Sequence, residues 1–187
     1  MKPAMLVVAA ALLSTPLPAQ TCAGAMELGT LGGPDSFAHG ASADGSVVVG
    51  WSLLANGESR AFRWTAAGGM QDLLTTGGAQ SNANGVSADG AVVVGGFEGN
   101  RAFLWTAASG IVLFAPGSAH AVSADGSVVV GRSSNHAFRW TAAGGMQDLG
   151  TLGGTYSGAF GVSADGSVVV GNSGLANGGS RAFRWTA

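Results

Sequence analysis

The chain has 187 residues, a formal net charge of −2, only 10% charged residues and 33 glycines. Lys2 is the sole lysine and the seven arginines stand against ten carboxylates, so no basic surface is left for a phosphate backbone or an anionic lipid, which excludes nucleic-acid binding. A single cysteine, Cys22, rules out an internal disulfide framework, so the fold must be held by its core.

Taken in chain order, residues 1–20 read as a secretory leader: Lys2, an apolar run from Ala4 to Leu13, then Ser14, Thr15, Pro16, Pro18 and Ala19. That run is too short to cross a bilayer as a helix and no later one approaches the ~20 residues required, so an exported chain without membrane insertion is expected. Residues 21–187 then form one domain of internal repeats. Ser-Ala-Asp-Gly recurs with its aspartate at Asp44, Asp89, Asp125 and Asp165, each time followed by Ser or Ala, three valines and Gly. Ala-Phe-Arg/Leu-Trp-Thr-Ala recurs with its tryptophan at Trp64, Trp105, Trp140 and Trp185. The repeats run at about 37–78, 81–118, 119–154 and 156–187.

Within a repeat, Asp-Gly predicts a two-residue turn joining an extended stretch to the valine strand. Phe62 and Trp64 share a face at period two and mark a third strand. Ala67-Gly68-Gly69 turns the chain into a fourth, Met70 to Leu74. Four short antiparallel strands per 36 to 45 residues predict an all-β fold of tandem four-stranded repeats, a small four-bladed β-propeller. The segment 25–33 aligns without a gap on 146–154, and the last repeat stops after its third strand at Thr186. The N-terminal strand is therefore expected to complete blade four and close a monomeric ring; a truncated piece of a longer surface repeat protein is the alternative.

The chain resembles the extracellular HAF (His-Ala-Phe) repeat family, with the tripeptide literal at His136-Ala137-Phe138 and varied to Arg-Ala-Phe at 60, 101 and 181. Asp148 to Gly154 and Gly161 to Ser167 carry further matching segments, and the resemblance covers about residue 25 to the end. It implies an exported bacterial repeat protein and supplies no catalytic residues.

Candidate sites follow from the same alignment. Arg63 with Asp72 and Arg139 with Asp148 recur nine positions apart and become Leu104 and Leu113 together in repeat two, so they are expected to face each other; Glu27 would serve Arg184. The four turn aspartates offer one carboxylate each, short of the six or more oxygens calcium needs, and read as structural. Five residues before each turn aspartate stand His39, Asn84, His120 and Phe160, on the strand that lines a propeller's channel; they read as ordinary polar residues of the channel mouth, with the alternative that the two histidines face one another and hold an ion or water cluster. No catalytic, cofactor or metal constellation stands out, so the expected function is a non-enzymatic structural or binding module. It would present its variable loops, with Trp51, Phe97 and Leu175, to an extracellular protein or glycan. A propeller hydrolase or lyase with a site on one rim is the competing reading.

Overall fold

The protein is described here from a computed structural model covering residues 24–74, 80–98 and 100–187. The expected leader and Cys22 lie outside the described residues. No helix among the described residues is long and apolar enough to cross a membrane.

Among the described residues, fifteen strands form four antiparallel sheets, each strand paired with its sequence neighbour. Blade one contains β1 (Gly32–Ala41), β2 (Val47–Leu54), β3 (Ser59–Thr65) and β4 (Gly69–Asp72). Blade two contains β5 (Ser81–Val86), β6 (Val93–Phe97), β7 (Arg101–Thr106) and β8 (Gly110–Pro116). Blade three contains β9 (Ser118–Val122), β10 (Val128–Ser133), β11 (His136–Thr141) and β12 (Gly145–Asp148). Blade four has three strands, β13 (Gly153–Val162), β14 (Val168–Leu175) and β15 (Ser180–Thr186).

The triple valines need no polar alternation because both faces of an inner sheet are covered. Val47 and Val49 look towards blade two, where Val93, Ala83 and Phe103 receive them. Val94 meets Val129, Ala119 and Phe138 of blade three, and Val128 and Val130 meet Val169 and Ala159 of blade four. The hydrophobic core is therefore three layers between consecutive sheets. Phe62, Phe103 and Phe138, from the third strands, are at most 1% exposed. Burying each such ring contributes about 1.5–3 kcal/mol.

Two expectations need correction. The Asp-Gly turn spans four residues, 43–46, between Ser42 and Val47. Gly45 N–H donates to the Ser42 carbonyl and Ser42 N–H to the Val47 carbonyl, both at 2.9 Å, with Gly45 at a φ of 70°. The two-residue turn is displaced because Ser42 Oγ and the Asp44 carboxylate satisfy the extra backbone donors.

The second correction concerns closure. Residues 29–32 lie against blade one: Leu31 bridges Leu54, its N–H donates to Ser52 Oγ at 3.0 Å, and Ser36 Oγ donates to the Gly29 carbonyl. The same bonds recur where blade three passes into blade four, from Leu152 to Ser173 and from Ser157 to Gly150. The alignment of 25–33 on 146–154 thus identifies a link entering β1. In this structure it does not pair with β15, and Glu27 is exposed.

Candidate functional site

The inner-strand positions serve the junctions between blades. His39 Nδ1 bonds the Ala83 carbonyl at 3.1 Å, Asn84 Nδ2 donates to the Ala119 carbonyl at 2.7 Å, and His120 Nδ1 bonds the Ala159 carbonyl at 2.8 Å. Each side chain reaches the next blade's inner strand, so His39 and His120 are fixed sideways on backbone carbonyls. Phe160, with no polar atom, stacks on His120 with ring centroids 5.0 Å apart. Burial lowers the His120 pKa below that of a free imidazole; the bond to the Ala159 carbonyl opposes this and the Arg132 charge adds to it. Among the described residues no three His, Cys, Asp or Glu side chains gather as a metal site would require.

The arginines also look to the next blade. Arg63 lies opposite Gln71, whereas Asp72 lies opposite Phe62, so Arg63 and Asp72 point to opposite faces of the sheet. Arg139 and Asp148 are divided in the same way, with Gln147 and Phe138 as their partners. The pairing expected from covariation is therefore wrong by one residue of register. Arg63 Nε donates to the Gly90 carbonyl and its guanidinium lies 5.9 Å above the Trp105 ring; Arg139 treats Gly166 and Trp185 alike. Blade two replaces the cation by Leu104, packed against the core that includes Trp140. Asp72 accepts from Leu74 N–H, and Asp148 accepts from His136 and from Gly150 N–H. Arg184 is exposed and does not meet Glu27.

The turn aspartates bond within their own turns. Asp125 Oδ1 accepts from Ser123 Oγ at 2.6 Å and from Ser127 N–H at 3.0 Å, while Ser123 Oγ, fully buried, accepts from Val128 N–H. Asp44, Asp89 and Asp165 repeat the arrangement on Ser42, Ser87 and Ser163. The serine hydroxyls, followed by the backbone donors, lower the pKa of Asp44, Asp125 and Asp165 to about 2, and that of Asp89 in the same direction. These carboxylates ionise more easily folded than unfolded, so their contribution is complete above the ordinary carboxyl pKa and disappears as pH falls through the folded value. Thermal melts between pH 5 and pH 2 should show a falling midpoint concentrated below about pH 4, where the unfolded carboxyls begin to take up protons. A flat profile would show that these bonds do not discriminate the folded state.

The variable connections fall between the second and third strands of each blade: 55–58, 98–100, 134–135 and 176–179. Trp51, on β2 beside the first of them, is half-buried and stacks on Phe37, centroids 4.4 Å apart and 23° between planes. With Leu53, Ser59, Gln80 and Asn82 it lines a groove of about 290 Å³ across blades one and two. Phe97 differs from expectation: it packs against the buried cluster of blades one and two. Leu175 is half-buried at the base of its hairpin, where its N–H donates to the Gly179 carbonyl and Leu152 bridges it.

Sequence reasoning missed Phe37, Gln80 and Asn82. Phe37 was open to discovery, since it stands two residues before His39 and register sets it opposite Trp51. His136 and Asp148, bonded at 2.8 Å, line a second cleft of about 230 Å³ with Ser133 and Ser134. Both side chains are substantially exposed, and the pair fastens β11 to the end of β12.

No family model matches the chain, and no curated protein matches it in sequence. In three dimensions it is similar to TolB from Acinetobacter baumannii, with a TM-score of 0.61 at 13% identity, over 81% of this chain and 41% of that one. It is also similar to a putative TolB from Agrobacterium tumefaciens, with a TM-score of 0.56 at 18% identity, over 80% of this chain and 65% of the other. A chain of a mitotic checkpoint complex gives 0.52 at 18% identity, over 97% of this chain and 58% of that one. The chain thus spans between two fifths and two thirds of the length of these structures. Sequential antiparallel sheets packed face to face, three of four strands and one of three, together with these likenesses, give the chain a β-propeller-like all-β fold.

Proposed function

We propose that this is an exported, non-catalytic binding module of the HAF repeat type, and that the groove at Trp51 receives a glycan. Export is supported by the leader pattern in residues 1–20 and the repeat type by the His-Ala-Phe and Arg-Ala-Phe segments. The observation that carries the ligand class is the Trp51 groove itself. A half-exposed indole, held in place by stacking on Phe37, supplies a flat apolar platform for the C–H face of a sugar ring. The amides of Gln80 and Asn82 and the Ser59 hydroxyl stand around it as donors and acceptors for sugar hydroxyls. The groove lies beside the variable connection at 55–58, where changes alter recognition without disturbing the sheets.

A glycan array probed with the purified protein, followed by calorimetric titration of the best binder, tests this reading. Trp51→Ala should weaken binding about 30-fold, as loss of a central aromatic anchor does, with an unchanged circular dichroism spectrum. The glycan reading fails if no array position is bound above background, or if Trp51→Ala binds as well as the parent.

A further inference from the structure

We propose that the uncovered faces of blade four and blade one are the two halves of a junction that forms between copies of this chain, head to tail. The three internal junctions define what such a contact requires. At each, a backbone ladder crosses the turns: Ala43 N–H donates to the Ala88 carbonyl, Ala88 N–H to Ala124 and Ala124 N–H to Ala164, at 2.9, 2.9 and 3.0 Å. Ala164 N–H and the Ala43 carbonyl are the two ends of this ladder and have no such partner among the described residues. The first is a donor on the outer side of blade four, the second an acceptor on the outer side of blade one.

Packing repeats the pattern. The turn glycine of each following blade presses on the valine of the blade before it, so closely that a Cβ on Gly90, Gly126 or Gly166 would lie 2.4 to 2.6 Å from Val47, Val92 or Val128. Gly45, the equivalent in blade one, has nothing within 4 Å. Ala61, Ala102 and Ala137 are fully buried against the next blade, and Ala83, Ala119 and Ala159 against the previous one. Their counterparts Ala182 and Ala38 are exposed, as is Val170 at 46%, whereas Val49, Val94 and Val130 are at 0%.

The polar groups match as well. Ser157 Oγ donates to the Gly150 carbonyl and accepts from Ala137 N–H of the preceding blade; Ser36 makes the first bond, to Gly29, and has no such donor for the second among the described residues. A second copy docked by its blade one would let Ala182 N–H reach its Ser36, Ala164 N–H reach its Ala43, and Arg184 reach its Gly45 carbonyl and Trp64 ring. Its residues 25–28, which align on 146–149 of blade three, would extend the sheet beyond β15 as a fourth strand. This edge and these faces accept a copy of the chain because the internal junctions are already made of the same residues. A head-to-tail contact of this kind propagates into a ring or an open array.

Sedimentation of the parent chain at rising concentration should show species of increasing mass. Ala38→Glu and Ala182→Glu place a charge on residues exposed in the single chain. Each should leave circular dichroism and the melting temperature of the dilute protein unchanged while weakening association about 100-fold or more. Mixed together, the two variants should form a one-to-one dimer and nothing larger, because the intact blade-four face of the first meets the intact blade-one face of the second. A parent that stays monomeric throughout overturns the proposal, whether its ends close on each other or are covered by other partners. So does association that survives both substitutions, or variants that fail to complement.

Discussion

Replacing Gly131 by alanine is expected to cost about 3 kcal/mol or more, a large fraction of the stability of an ordinary domain. The glycine after the three valines lies where the second strand passes a bulge in the first, and a Cβ there would stand 2.0 Å from the Ser118 carbonyl oxygen and 2.9 Å from the Phe138 ring. Neither neighbour can yield: the carbonyl belongs to a paired strand and the ring is 1% exposed. Gly50, Gly95 and Gly171 repeat the approach at 1.9 to 2.0 Å from a first-strand carbonyl. Gly45→Ala is the control, since its Cβ would meet nothing and only the φ of 70° resists a side chain, at about 1–2 kcal/mol. Urea denaturation of both variants decides the matter, and a Gly131 loss no larger than that at Gly45 would rule out the close approach.

Phe138→Ala should cost about 3–5 kcal/mol, the usual loss for an aromatic ring removed from a packed core. Phe138 sits in the layer between blades two and three, with Phe114 edge-on at 6.3 Å and Val94, Ala119 and Val129 in the same cluster. Met146→Ala, on the exposed outer strand of blade three at 46% exposure, should stay within about 0.5 kcal/mol. Equal shifts in the denaturation midpoints would mean that cohesion does not reside between the sheets.

Strand identity was legible because the repeat shows each signal four times: the valine run, the Phe-x-Trp pair and the Asp-Gly turn all fall in the elements they announced. The Arg63 partner was not legible. Whether two side chains meet across an antiparallel pair depends on a single residue of register, and the spacing of nine between Arg63 and Asp72 is one residue away from the true pair, Arg63 with Gln71. The joint loss of Arg and Asp in repeat two reflects separate environments: Leu104 faces blade three's core, while Leu113 packs with the cluster of blades one and two. The closure strand was misjudged for another reason. Homology of 25–33 to 146–154 says which blade position the segment can occupy but not whose blade, since the rotation from one sheet to the next is set by packing and leaves no periodic trace in the sequence. The Trp51 groove was half legible, because Trp51 was visible beside a variable connection but its companions arrive from β1 and the start of blade two.

The sequential order of strands within every sheet bears on how the chain reaches this state. Each sheet draws on one contiguous stretch, 32–72, 81–116, 118–148 or 153–186, so no strand waits for a partner from the far end of the polypeptide. Loop-closure entropy grows with the logarithm of the intervening length, and hairpins of this span keep it small. Blade one can assemble while blade two is still being made, and each later sheet finds the Val, Ala and Phe face of its predecessor already formed as a template. Folding can therefore proceed vectorially along the chain, by successive docking of locally formed units, without a late step in which distant ends must find each other.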